Sequence, residues 1–391
     1  MSIKYPLASS SWNHLEYKAL QEVIRNGYFS MGPKVEECEK CFAEYFGSKY
    51  SIMVNSGSSA NLLMIGALMY RSYNKLNKGD EVIVPAVSWS TTYFPVNLYG
   101  LKLVFVDIDR ETLNYDLKAL EKAAKGNKVK LIMCVNLLGN PNEFKEVNHI
   151  AAKYNLEVIE DNCEAMGADY NNKMAGTWGI MGSFSSFFSH HISTMEGGFV
   201  VTDEEELYHI MLSLRAHGWT RNLPKDNLIC NKSSDAFTES FRFVLPGFNL
   251  RPLEMSGALG IEQLKKLSNI VKCRRDNAFR FKEVTSKYDF ITIQKEVGKS
   301  SWFGFSITLN DNCSQSREQI LKTFRYYGFE ARPVVAGNFV NQEVMKHLDF
   351  RIDGELSNAN VIDTNSFFIG NHHFPMTDAI NELPKVLENC K

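Results

Sequence analysis

The sequence predicts an α/β fold, a mostly parallel central sheet with a smaller α+β unit after it. Three observations lead there. Short, near-continuous apolar runs alternate with helical patterns; each run stops abruptly at a polar residue or proline; and the pattern changes beyond residue 254. Apolar runs of that kind are strands buried on both faces, which is what helices on either side of a parallel sheet produce.

The elements follow in order. Val35, Cys38, Phe42 and Phe46 recur at helical spacing. Ser51–Val54 is a strand ending at Asn55-Ser56-Gly57, and Ala60–Tyr70 is an apolar helix. Strands are expected at Glu81–Val84, Leu103–Val106, Leu131–Val135 and Leu156–Ile159, with helices at Leu117–Ala124 and Glu143–Tyr154. Pro252–Val271 reads as one long helix. Strands at Phe290–Gln294, Phe303–Leu309 and Phe329–Val334, and a helix at Ser316–Tyr327, complete the chain. The division expected is 1–254 and 255–391.

Composition narrows the function. The chain has 391 residues, 43 Lys+Arg against 45 Asp+Glu and a net charge of −2, so binding nucleic acid is not its expected role. No run of 18 apolar residues spans a membrane. The opening stretch lacks the apolar core of a signal peptide, so the eight cysteines read as reduced thiols of a cytoplasmic protein. Cys38-x-x-Cys41 has no second pair to close a zinc site, and no metal is expected.

In open α/β sheets ligands gather past the carboxyl ends of the strands. Four segments there carry polar chemistry. Asn55-Ser56-Gly57-Ser58-Ser59 opens a helix, where backbone N–H groups and the dipole suit a phosphate, or where serines simply cap. Trp89, among small polar residues, is either an aromatic lid or a core residue. Glu160-Asp161-Asn162-Cys163-Glu164 brings carboxylates to a strand end, where Asp161 either pairs with a protonated ring nitrogen or caps a helix. Ser183–Gly198 is rich in hydroxyls and aromatics and carries His190-His191; in extended chain the two rings would face opposite ways. Further along, His217-Gly218-Trp219-Thr220-Arg221 and Arg332 are either substrate contacts or solvated loop residues.

These features occur in the order found in the DegT/DnrJ/EryC1/StrS sugar aminotransferase/dehydratase family. Met31-Gly32-Pro33, Lys78–Pro85, Val106–Asp109, Gly139-Asn140-Pro141 and Gly247–Arg251 extend the resemblance over most of the chain. The resemblance implies fold-type I (aspartate aminotransferase-like) and pyridoxal or pyridoxamine phosphate (PLP, PMP) as cofactor. Gly57, Ser58 and Ser185 would hold its phosphate, Trp89 would stack on its ring, Asp161 would meet its ring nitrogen, and Glu164 would stand where aminotransferases usually have glutamine. Asn249 matches a residue that reaches the phosphate from a second subunit, implying a homodimer with shared sites.

Six residues before Glu196 the aminotransferases carry the lysine that bonds covalently to the cofactor; this chain has His190. Imidazole makes no stable bond to the aldehyde but can move a proton. The resemblance therefore implies non-covalent PLP/PMP and removal of the C3 hydroxyl of a nucleotide-linked 4-keto-6-deoxy sugar, as in the sugar 3-dehydratases, with glutamate as amino donor and a colitose-type dideoxysugar as the product's destination. Between Thr202 and Gly260 only Cys230 is present, too few thiols for an iron–sulfur cluster, which points to the branch acting on GDP-4-keto-6-deoxy-D-mannose. An aminotransferase, a dehydratase for another nucleotide sugar, and a non-catalytic PLP sensor are the rival readings.

Overall fold

The computed structural model describes residues 3–391. Its strands are β1 (Tyr50–Val54), β2 (Glu81–Pro85), β3 (Lys102–Val106), β4 (Val129–Val135), β5 (Glu157–Asp161), β6 (Asp169–Tyr170), β7 (Lys173–Met174), β8 (Met181–Ser185), β9 (Gly198–Thr202), β10 (Ile291–Ile293), β11 (Gly304–Leu309), β12 (Ala331–Arg332), β13 (Phe350–Ile352) and β14 (Ser366–Gly370). The large sheet has the order β1-β9-β8-β5-β4-β2-β3-β13. Its strands run parallel except β9, which pairs antiparallel with both β1 and β8. A second, antiparallel sheet has the order β10-β11-β14-β12. This is the mixed architecture of fold-type I, as expected.

The helices that build the site are α1 (His14–Asn26), α2 (Pro33–Phe46), α3 (Gly57–Tyr70) and α4 (Ser90–Leu98). Helix α3 is apolar all round because it is enclosed: Ala60, Leu63, Met64, Ile65, Ala67 and Leu68 are all buried in the core beneath the sheet. A helix with no polar stripe is one with no solvent face. Asn61, the polar exception near its start, is buried as well.

The long helix, Glu254–Thr285, runs 14 residues beyond the end expected at Val271. The stretch after Val271, Lys272-Cys273-Arg274-Arg275, lacks an apolar stripe, yet it stays helical because Arg274, Asn277, Ala278 and Phe281 are buried on one side. Leu264, Leu267 and Val271 pack with Val35, Phe42 and Phe199 of the large unit, and Glu254 accepts hydrogen bonds from the N–H groups of Gly32 (2.7 Å) and Lys34 (2.6 Å) at the start of α2. Strand β13, late in the chain, is the edge strand of the large sheet. We propose the division at 254/255 for the two sheets, with the front of the long helix and β13 crossing it.

Candidate active site

Strand β1 ends at Val54 and α3 begins at Gly57. Ser56 caps the helix, its Oγ accepting from Ser59 N at 3.1 Å. The remaining first-turn N–H groups, those of Gly57 and Ser58, belong to the set that a helix leaves without internal partners. Ser58 Oγ donates to Thr91 Oγ1 at 2.9 Å. Gly57 lies against β8: a Cβ there would stand 2.8 Å from Ser185 Cβ and 2.9 Å from Cys163 Sγ. The close approach requires glycine, and it brings Ser185 beside the helix start.

Asp161, the last residue of β5, is buried. Its Oδ2 accepts from Asn61 Nδ2 and from Thr92 Oγ1, both at 2.7 Å. Each donor is held in turn: Ser183 Oγ donates to Asn61 Oδ1 at 2.6 Å, and Ser88 and Thr92 share a hydroxyl contact of 2.8 Å. The other oxygen, Oδ1, receives only Cys163 N at 3.3 Å. One oxygen is thus anchored and the other keeps room for a further donor.

Glu164 follows on the same loop. Its Oε2 accepts the N–H of Leu138 at 2.9 Å, and burial, with the charge of Asp161 nearby, pushes its carboxyl up to about 7.

His190 sits on a turn in which its N–H donates to Phe187 O at 2.9 Å. Its ring lies 5.1 Å from that of Phe303 and 6.0 Å from Phe187. Nδ1 is enclosed with no hydrogen-bond partner. Burial first, and the charge of Arg274 second, push the imidazole down to about 4, so it is neutral at physiological pH. His190 is half-buried and His191 fully buried, the latter with its Nε2 against Ser301 O at 3.1 Å and its ring 5.9 Å from Phe303. This corrects the expectation that the rings face opposite ways. The chain at 190–191 is a tight bend, and strand alternation does not apply.

The DegT/DnrJ/EryC1/StrS aminotransferase family matches residues 11–384. The chain belongs to that family. GDP-4-keto-6-deoxy-D-mannose 3-dehydratase of Yersinia pseudotuberculosis is 56% identical over 388 residues, 99% of this chain and 98% of that protein. The solved structure of E. coli GDP-4-keto-6-deoxy-D-mannose-3-dehydratase with bound hydrated PLP superposes with a TM-score of 0.97 at 53% identity, covering 99% and 100% of the two chains. Another structure of a GDP-4-keto-6-deoxymannose-3-dehydratase, with a trapped PLP–glutamate geminal diamine, gives 0.96 at 53% identity and covers 98% and 100%.

The remaining residues singled out in this DegT/DnrJ/EryC1/StrS protein lie outside the buried cluster. Trp89 is 59% exposed, so the core-packing alternative does not hold; it borders an open cavity of about 460 Å³ with Phe94, Pro333, Val335 and Phe339. His217, Arg221 and Asn249 share a neighbouring surface. The N–H of His217 donates to Phe248 O at 2.9 Å, Asn249 bridges to Ala216, and the Arg221 guanidinium lies 4.8 Å from the centroid of the Trp219 ring. Asn249 is exposed, and its Oδ1 accepts from Arg251 Nε at 3.0 Å. Arg332 stands apart, exposed and paired with Glu330 at 3.3 Å. All eight cysteines are free, and no group of three potential metal ligands occurs among the described residues.

Sequence reasoning gave no role to Asn61, Thr92 or Phe303, although Asn61 ends the polar segment that begins at Asn55. Asn61 carried a readable signal, a polar residue between Ala60 and the apolar run Leu62–Leu68. Thr92 and Phe303 carried none, since a threonine early in a helix and a phenylalanine before a strand are ordinary.

Proposed function

We propose that this protein removes the C3 hydroxyl of GDP-4-keto-6-deoxy-D-mannose, using PLP/PMP held without a covalent bond and glutamate as amino donor. One observation carries the reading: at the turn where aminating relatives place a cofactor-binding lysine stands His190, a neutral imidazole with its Nδ1 enclosed and unpartnered.

The residues present fit the cofactor. The gap between Gly57 and Ser185 is too close for any other side chain and lies at the start of α3, where the first-turn N–H groups suit a phosphate. Gly57, Ser58 and Ser185 would hold it. Asp161 keeps Oδ1 for a protonated ring nitrogen while Asn61 and Thr92 fix its orientation. Glu164 would stand beside the ring and Trp89 over it. Bound there, the cofactor supplies an amine for the sugar ketone and a ring that withdraws electrons.

His190 then accepts a proton in its neutral form and returns it to the departing hydroxyl, so that the C3 oxygen leaves as water. A lysine at this place would compete for the aldehyde; the imidazole does not. His217, Arg221 and Arg332 are the side chains offered to the diphosphate and to glutamate.

A homodimer is part of the same reading. Phe29, Phe243, Phe248 and Leu253 are exposed, and Ser30 bridges to Leu253 close to Asn249. Exposed apolar residues in such a group mark an interaction surface, and a second copy seated there would bring Asn249 to the partner's site. We also propose a cytoplasmic location, with which the free thiols are consistent; no helix among the described residues is long and apolar enough to cross a membrane.

The test is mass spectrometry of products from GDP- and CDP-linked 4-keto-6-deoxy sugars supplied with glutamate and PLP. The expected result is a 3-deoxy ketosugar from the GDP substrate with one ammonia released per turnover. An intact 4-aminosugar would mean amine transfer instead, and no turnover with either substrate would favour a non-catalytic role.

A further inference from the structure

Arg274, on the long helix, is 5% exposed and has no carboxylate partner. Its neighbours on the helix do: Lys272 pairs with Asp276, Arg275 with Asp169 and Lys282 with Glu296. Arg274 instead donates through Nη1 to three backbone oxygens, those of Asn371 (2.7 Å), Phe303 (2.9 Å) and Trp302 (3.4 Å), while its Nε has no partner. A buried cation without a counter-charge is expensive, and fold stability alone does not call for one. Burial accordingly pushes the guanidinium down to about 10.

Two of the three oxygens, those of Trp302 and Phe303, belong to the loop that shapes the wall behind His190; the third, of Asn371, follows β14. Trp302 holds a left-handed conformation, φ 49°. Ser301 N donates to Gly139 O at 2.9 Å and Phe303 N to Leu138 O at 2.9 Å. Asn371 Nδ2 returns to Trp302 O at 2.9 Å and to Arg274 O at 3.1 Å. The loop is therefore clamped from both sides, with the Phe303 ring pressed against His190 and His191.

We propose that Arg274 is a positioning residue for His190: its Nη1 group fixes the loop that carries Phe303 against the imidazole, and its fixed positive charge opposes a second one there. This rests on the reading of His190 as the proton-moving group. The charged groups bearing on the pair are few. Arg274 acts on both rings, and Arg275 and His190 act on His191. The consequence is chemical. A neutral imidazole is ready to accept a proton, and the imidazolium formed beside a guanidinium gives the proton up readily to a leaving hydroxyl.

The test is NMR of PMP-loaded, histidine-¹⁵N-labelled protein, with the His190 signal assigned by its loss in His190→Asn. In the wild type the ring is expected to stay neutral down to pH 6. In Arg274→Gln its midpoint is expected to rise by about one pH unit, tenfold in proton affinity. Arg274→Lys keeps the charge without the Nη1 group, so its midpoint stays near the wild-type value while the melting temperature falls. Equal rises in both variants would reduce Arg274 to packing, and no rise in a folded Arg274→Gln would overturn the proposal. If Arg274→Gln does not fold, a wild-type ring already protonated at pH 6.5, or a rise in Arg274→Lys, overturns it; a wild-type ring neutral there with no rise in Arg274→Lys supports it. The titration is independent of turnover: a failed shift with dehydration intact sinks this proposal alone, and a normal shift without dehydration sinks only the proposed function.

Discussion

Asn61 Nδ2 donates to Asp161 Oδ2 at 2.7 Å, joining the first turn of α3 to the end of β5 across 100 positions of sequence. Thr92 occupies the same oxygen from α4. Two donors on one oxygen orient the carboxylate so that the second oxygen faces the site. Thr92→Val keeps the shape and removes one donor. A hydrogen bond to a charged group is worth about 1.5–3 kcal/mol, so PMP affinity is expected to fall by roughly tenfold or more. Equilibrium dialysis or fluorescence titration of PMP measures it; unchanged affinity would mean that Asp161 does not meet the ring.

Gly57 makes a steric prediction. A Cβ at this position lies inside contact distance of both Ser185 and Cys163. Overpacking of this kind costs about 1–3 kcal/mol. Gly57→Ala is expected to lower the melting temperature modestly and to weaken PLP binding much more, because the displaced atoms are those of the phosphate cradle. Equal binding by the folded variant would move the phosphate elsewhere.

Glu164 makes a prediction about pH. Its folded-state carboxyl is raised to about 7, above the ordinary value of 4.5. Between those values the folded protein binds more protons than the unfolded chain. Stability of the cofactor-free protein is therefore expected to fall as pH rises from about 4.5 to 7, by about 3 kcal/mol from this group, and to level off above. Glu164→Gln should flatten that slope. Urea unfolding at several pH values decides, and a wild-type slope that survives the substitution would assign it to another group.

His190→Lys tests the central side chain. The amine is expected to bond to PLP in a form that borohydride fixes to the protein, and dehydration is expected to drop by two to four orders of magnitude, the usual contribution of a positioned acid–base group. Normal dehydration by this variant would remove His190 from the proton path.

The fold was readable because buried parallel strands leave so plain a mark. Glu81–Val84 and Leu103–Val106 are apolar runs bounded by turn residues, and each strand that was expected proved within a residue or two of its span, while β8, β9 and β14 were not expected. Asp161 and His190 were readable because residues at strand ends and bends carry chemistry without contributing to the core. Arg274 was not. A cation in a charged stretch of helix looks solvated from sequence, and only the packing of the 301–303 loop and Asn371 shows it enclosed. Phe303 escaped for the opposite reason: an apolar residue before a strand reads as core whether it faces the interior or a histidine. Strand β13 was likewise invisible, since three residues, Phe350–Ile352, pair with β3 through contacts some 250 positions apart.

Glu160 and Asp161 are adjacent carboxylates with opposite duties, and the strand explains why. Successive side chains of β5 point to opposite faces. Asp161 faces α3 and α4, while Glu160 faces the loop at 176–179. There Oε1 accepts from Trp178 N (2.5 Å) and Gly179 N (2.8 Å), and Oε2 accepts from Gly176 N (2.6 Å) and Asn136 Nδ2 (3.2 Å). Both oxygens of Glu160 are fully used by donors, so a carboxamide, which turns one acceptor into a donor, must set N–H against N–H whichever way it flips. Glu160→Gln is expected to cost about 3 kcal/mol or more in unfolding free energy. Asp161→Asn retains an acceptor for Asn61 and Thr92 and is expected to cost much less stability, yet to abolish turnover, because an amide cannot hold a proton on the ring nitrogen. Denaturant melts and product assays on the two variants separate the roles, and a catalytically dead but fully stable Glu160→Gln would reverse them.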